Sequence, residues 1–248
     1  MRTGKRHIQM SLEQSRKPDG KHGGWRPNAG RKRQAGTISH AARASLNPRL
    51  PEHVTLRIAP DVGSIARDWL MTKIRDCIRH AQKEAFRIVE FNVLSNHLHL
   101  ITETADKDAL ARGIQGFAVR VARRMNSALK RKGPFFAHRY HVRPLTNPTQ
   151  VRHALRYVLQ NRRHHDAEKR FSKTWFDPYS SAAWFDGWAT PLRASMLWQQ
   201  ELLDTPRPTA KATTWLLSIG WKRIGLLRLL FRRPRGRGPR SLQRPPGG

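Results

Sequence analysis

Two periods of apolar residues take turns along this chain, one of two residues over short stretches and one of three to four over longer ones. His53 to Ile58, HVTLRI, alternates polar and apolar positions ahead of Pro60 and predicts a strand. Ile65, Trp69, Leu70, Ile74 and Ile78 then recur at helical steps. In Phe86 to Glu103, FRIVEFNVLSNHLHLITE, two apolar runs are divided by Ser95-Asn96, a turn-type pair, so the segment reads as two antiparallel strands. Leu110, Ile114, Phe117, Val121 and Met125 mark one face of a helix over about Lys107 to Lys130, closed by Gly133-Pro134. Phe135 to Leu145 is a short strand candidate. Asn147-Pro148-Thr149 then pairs a capping side chain with a proline whose missing N–H is harmless in a first turn, and starts a helix striped by Val151, Leu155, Val158 and Leu159.

The resulting order, strand, helix, strand, strand, helix, strand, helix, predicts an α+β fold: a ferredoxin-like βαββαβ antiparallel sheet with an added C-terminal helix bearing Tyr157. If one sheet face carries the first two helices, the added helix can cross the other. Composition divides the chain further, into a basic arm over 1–50, the α+β domain over 51–165, a Trp-rich extension over 166–231 expected to be helical, and a basic Pro/Arg/Gly tail over 232–248. The arm and tail have too few aliphatic residues to offset the entropy of ordering, and are expected to be disordered.

Charge narrows the partners. Lys and Arg number 48 against 17 Asp and Glu, a formal net charge of +31, and such a chain repels itself unless it meets a polyanion. Nucleic acid comes first, an anionic membrane second and a ribosome-like structural role third. The single cysteine, Cys77, excludes internal disulfides and Cys-rich zinc fingers, and its apolar neighbours make it a small core residue. The N-terminus lacks the apolar stretch of a signal peptide, and the late apolar segment around Thr214 to Phe231 is broken by Lys222, Arg223 and Arg228. A cytoplasmic, nucleoid-associated protein with no membrane partner is the expectation.

The candidate chemistry lies in two places. On the second strand of the pair, alternate side chains share a face, so His97 and His99 point one way while Leu98 and Leu100 point the other. Two imidazoles so placed can converge on one ion. Tyr157 and Asn161, four residues apart, lie one above the other on the last helix. The Asn161 amide oxygen can join the histidines on a metal with the Tyr157 phenol beside it, a mixed nitrogen and oxygen set suited to Mg²⁺ or Mn²⁺. The bland readings are surface strand histidines, an interfacial aromatic at Tyr157 and a helix-end residue at Asn161. Tyr140 is a rival phenol, and His164 or His165 could stand in on the metal or favour the helix dipole.

HVTLR, then N-H-L-H-L, then F-x-x-R-Y at Phe136 to Tyr140, then R-Y-V-L-Q-N at Arg156 to Asn161 resembles, in that order, the REP-associated tyrosine transposases of the HUH superfamily. The resemblance covers about His53 to Asn161. It implies a divalent metal on His97, His99 and Asn161, and Tyr157 as the nucleophile that cleaves and rejoins single-stranded DNA through a 5′-phosphotyrosine, with hairpin-forming repeats as partners. A homodimer is compatible with it. The chain departs from the family where Asn161 is followed by Arg162-Arg163-His164-His165 instead of the N-P-V-R-A ending, and Asp177 to Trp188 and Thr214 to Leu217 resemble extensions of some relatives. A DNA-binding protein that keeps the fold but has lost catalysis is the alternative.

Arg139, Arg143, Arg152 and Arg156 are the basic residues nearest the site in sequence and are expected to touch phosphates. In the flanks, Arg31, Lys32 and Arg33 within HGGWRPNAGRKR and Arg235 and Arg237 within PRGRGP approach minor-groove hook patterns, although nonspecific phosphate binding suits such low-complexity strings better.

Overall fold

A computed structural model describes residues 46–165 and 174–229. Four strands, β1 (Glu52–Arg57), β2 (Phe86–Val93), β3 (His97–Thr104) and β4 (His141–Pro144), form one sheet in the order β2-β3-β1-β4, with every neighbouring pair antiparallel. With α1 (Asp68–Arg79) between β1 and β2 and α2 (Lys107–Ala128) between β3 and β4, this is the expected ferredoxin-like arrangement, and α3 (Pro148–His165) is the added helix.

The two faces of the sheet bury different sets of residues. Val54, Leu56, Leu98 and Leu100 pack with α1 and α2, while Ile101 and Val89 pack with Val151, Ala154, Leu155, Val158 and Leu159 of α3. On β2 the inward set changes phase: Phe86 and Ile88 face α1 and α2, and so do Phe91 and Val93. A bulge between Ile88 and Glu90 absorbs the extra residue and keeps both halves of the strand in the core. Simple alternation could not reveal that shift.

Each helix is set by local chemistry. Asp106 caps α2 by accepting from Ala109 N at 2.7 Å. Asn147 caps α3 by accepting from Gln150 N at 2.9 Å, and the Gln150 side chain reaches back to accept from Thr146 N at 3.0 Å. The predicted stripe of α2 is wholly buried, and α2 approaches β2 so closely that a Cβ on Gly113 would lie 2.2 Å from the Phe86 ring. The stripe of α1 differs from expectation. Ile65 precedes the helix and Trp69 is 50% exposed, so the buried face is Leu70, Met71, Ile74, Cys77 and Ile78. Burial pushes the Cys77 thiol pKa up, in keeping with a core residue.

The strand candidate over Phe135 to Leu145 contracts to β4; Phe135 is instead a buried core residue and Phe136 makes a single bridge to Ile58. The extension over 174–229 contains two short helices, α4 (Leu197–Asp204) and α5 (Trp215–Ser218), joined by loops and 3₁₀ turns, and is less helical than expected. It packs Phe176, Phe185, Trp188, Leu217 and Trp221 into the core beneath α3. Near its start it covers the free edge of β2, where Val93 N donates to Tyr179 O at 2.8 Å and Phe91 N to Ser181 Oγ at 2.9 Å. Near its end the buried Glu103 carboxylate of β3 accepts from Thr213 N at 3.0 Å, Thr214 N at 2.7 Å and Arg87 Nη2 at 2.9 Å.

Glu103→Ala removes the acceptor common to these donors, and we expect a loss of about 3 kcal/mol in thermal unfolding with faster amide exchange across the Thr213 end. A second expectation concerns Glu52, buried where it accepts from Thr102 Oγ1 at 3.0 Å and Thr104 Oγ1 at 2.7 Å. Burial, opposed by these hydrogen bonds, raises its carboxyl pKa from 4.5 to about 7. The folded state therefore holds a proton that the unfolded chain has released, and stability falls as pH rises from about 4.5 to 7. Glu52→Gln should flatten this descent by about 3 kcal/mol relative to the parent chain, measured by denaturant titration at pH 4.5 and 8.

Candidate active site

β3 and α3 together bring His97, His99 and Tyr157 into one place. Because β3 alternates, His97 and His99 share the face that α3 crosses, with ring centroids 4.6 Å apart. Tyr157 projects from α3 toward this pair, its hydroxyl 3.4 Å from His99 Nε2 and its ring centroid 5.0 Å from that of His99. His99 is nearly fully buried, whereas Tyr157 is 41% exposed, so the phenol is held from below and open from above. Asn161 lies one turn further along α3, 1% exposed, with neither side-chain atom hydrogen bonded. Tyr140 packs instead against the α1/α2 core, on the opposite face from the histidines.

Sequence reasoning missed three neighbours. His53 on β1 places Nε2 3.1 Å from His99 Nδ1, and Thr55 Oγ1 lies 3.2 Å from the same atom. Burial first, and the nearby His141 and Arg143 charges next, lower the His53 pKa from 6.5 to about 4, so this imidazole is neutral at physiological pH. Asn92, paired with His99 across β2 and β3, is buried and donates from Nδ2 to Asp177 Oδ2 at 2.8 Å. The alternation that singled out His97 and His99 also holds in HVTLR, and would have placed His53 and Thr55 on one face had the β1–β3 register been known.

Two hollows flank the tyrosine and histidine group. One, of about 310 Å³, is lined by His53, Arg143, Gln150, His153 and Tyr157; the other, of about 410 Å³, by Ser64, Ser95, Asn96, His97 and Arg162. Of the basic residues expected near DNA, Arg143 borders the first hollow and Arg139 is exposed. Arg156 on α3 is half-buried. Arg152 serves the protein's own backbone, donating from Nε to Gly225 O at 2.8 Å, and so holds α3 to the extension. Arg31, Lys32, Arg33, Arg235 and Arg237 lie outside the described residues, as do the side chains of His164 and His165.

Among the described residues no group of three or more His, Cys, Asp or Glu side chains is placed to hold a metal ion. Two imidazoles completed by an amide are a different donor set, and the chain has its parts. A buried amide with no partner at Oδ1 or Nδ2 normally costs stability, and Asn161 is such an amide beside the tyrosine. The residues present therefore fit a hard divalent cation.

Residues 61–161 match the family model described as transposase, IS200-like. This part of the chain is similar to the IS200-like transposase family. The match embraces His97, His99, Tyr157 and Asn161, ends at Asn161, and leaves β1 with His53 outside it. No curated protein matches the chain. Among solved structures, it is similar to a REP-associated tyrosine transposase bound to a REP hairpin, at 16% identity over 58% of this chain and 82% of that one, with a TM-score of 0.46. It is also similar to a candidate transposase of Deinococcus radiodurans R1, at 14% identity over 54% of this chain and 99% of that one, with a TM-score of 0.34. The likeness to the family rests on the sequence match and on neither superposition. Among the described residues no helix is long and apolar enough to cross a membrane.

Asn161→Leu tests the orphaned amide. Replacing an unpaired buried amide with an apolar side chain of similar size should raise the melting temperature of the metal-free protein by a few degrees, corresponding to about 1–3 kcal/mol. If the amide is a metal donor, the same variant should also lose any thermal stabilisation by Mn²⁺. A fall in the metal-free melting temperature would show that the amide is already satisfied.

Proposed function

We propose that this transposase domain cleaves and rejoins single-stranded DNA with Tyr157 as the nucleophile and a divalent cation, Mg²⁺ or Mn²⁺, held by His97, His99 and Asn161. The observation that carries the reading is the convergence of the Tyr157 hydroxyl and the His97–His99 pair from two separate elements, one presenting the phenol to solvent and the other burying His99. A bound cation would polarise a phosphate oxygen and draw off charge as the phosphorus is attacked. Tyr157 supplies the oxygen that forms the new bond to phosphorus and gives up its proton. The bond from phosphorus to the 3′-oxygen breaks, leaving a free 3′-hydroxyl and a 5′-phosphotyrosine. Because the phosphodiester is exchanged and not hydrolysed, rejoining to another 3′-hydroxyl reverses the step without ATP.

Geometry favours a single strand as substrate. The hollows on either side of Tyr157 and His97 accommodate nucleotides flanking the scissile phosphate, with Arg143 in one and Arg162 in the other to meet the backbone. Arg139 and Arg156 extend the basic surface. Hairpin-flanked repeats are the DNA partner that the resemblance of the His97–His99 and Tyr157–Asn161 motifs to the REP-associated tyrosine transposases implies. The basic flanks over 1–50 and 232–248 would add salt-sensitive, nonspecific affinity, and nothing in this reading needs a membrane.

Incubation with a labelled, hairpin-bearing single strand and Mn²⁺ should yield a covalent protein–DNA adduct. Tyr157→Phe should abolish the adduct while DNA affinity stays within about threefold, and His97→Ala should lower its rate by at least 100-fold, an order of magnitude typical of a lost catalytic group. An adduct that persists in Tyr157→Phe and vanishes in Tyr140→Phe would move the nucleophile to the other phenol. Absence of any adduct in the parent chain would favour a DNA-binding protein without catalysis.

A further inference from the structure

His97 and His99 are tied to the protein through the same ring atom. His97 Nδ1 lies 2.5 Å from Asn96 Oδ1, an acceptor only, so that nitrogen carries the proton and Nε2 keeps its lone pair. His99 Nδ1 lies 3.1 Å from His53 Nε2, while His99 Nε2 faces the Tyr157 hydroxyl at 3.4 Å. The two histidines can act alike only if His99 also carries its proton on Nδ1. That proton then needs an acceptor, and His53 Nε2 is the nearer of the two groups beside it.

We propose that His53 is a positioning residue, accepting the Nδ1–H of His99 and so fixing the tautomer whose Nε2 lone pair faces Tyr157 and the divalent cation. The inference rests on the metal-bearing reading of the site given above. With the opposite tautomer, His99 would present an N–H toward Tyr157, and the atom turned toward α3 could neither ligate a cation nor accept from the phenol. Histidines that ligate metals ordinarily donate their second N–H to a carboxylate, carbonyl or water. Here the His53 ring fills that place, its Nε2 3.1 Å from His99 Nδ1. Thr55 Oγ1, at 3.2 Å, is the competing partner, and removing its hydroxyl separates its contribution from that of His53.

The tautomer can be read without metal or DNA. Long-range ¹H–¹⁵N NMR of the full chain should find His99 protonated at Nδ1; protonation at Nε2 overturns the proposal. Calorimetric Mn²⁺ titration gives a second reading. His53→Phe keeps a ring but no acceptor and should weaken Mn²⁺ binding by 10- to 100-fold. His53→Gln, whose Oε1 can take the place of Nε2, should restore affinity to within about threefold of the parent, and Thr55→Val should remain in the same range. Binding in His53→Phe within twofold of the parent, or a larger loss in Thr55→Val than in His53→Phe, would sink the role of His53. Failure of the parent chain to bind Mn²⁺ at all would instead overturn the metal reading, and the metal-free spectrum would still decide the tautomer.

Discussion

Everything in this domain depends on the two-residue period of β3. One set of its side chains, Leu98 and Leu100, closes the core over α1 and α2, and the other, His97, His99 and Ile101, faces α3. Burying the leucines therefore fixes where the imidazoles point, since a slip of one residue would send histidines into the core and leucines to the site. Ile101 then joins the cluster that seats α3, so the strand that carries the imidazoles also helps to dock the helix that carries the phenol.

The order of elements and the faces of α2 and α3 were legible in the sequence because their apolar residues repeat at recognisable periods. The faces of β2 were not, because the bulge at Ile88 and Glu90 changes the phase of the pattern midway. The face of α1 was misjudged for a related reason: Ile65 is buried by the loop before the helix, and counting from it brings the half-exposed Trp69 onto the stripe. Local periodicity reports a helical face only once the first turn is known, and no side-chain cap marks the start of α1.

At the site, the sequence pointed to the residues whose spacing is local and overlooked those brought in by pairing. His97 with His99, and Tyr157 with Asn161, are neighbours along one element. His53 and Asn92 reach His99 only through the β1–β3 and β2–β3 registers, and Asp177 arrives from a loop 85 residues beyond Asn92. Arg152 shows the converse error, since a basic residue near a proposed DNA site is engaged by the carbonyl of Gly225. Proximity in sequence to a site is a weak guide to what a long side chain will reach.

The burial of Cys77 has a practical side. It is the only thiol in the chain, fully buried on α1 within the core, and its raised pKa keeps little of it as the reactive thiolate. A cysteine introduced on the outer face of α3 would thus react with a maleimide fluorophore or spin label against a silent background. The native chain is ready for distance measurements between the tyrosine helix and a tagged DNA strand, with no thiol to remove first.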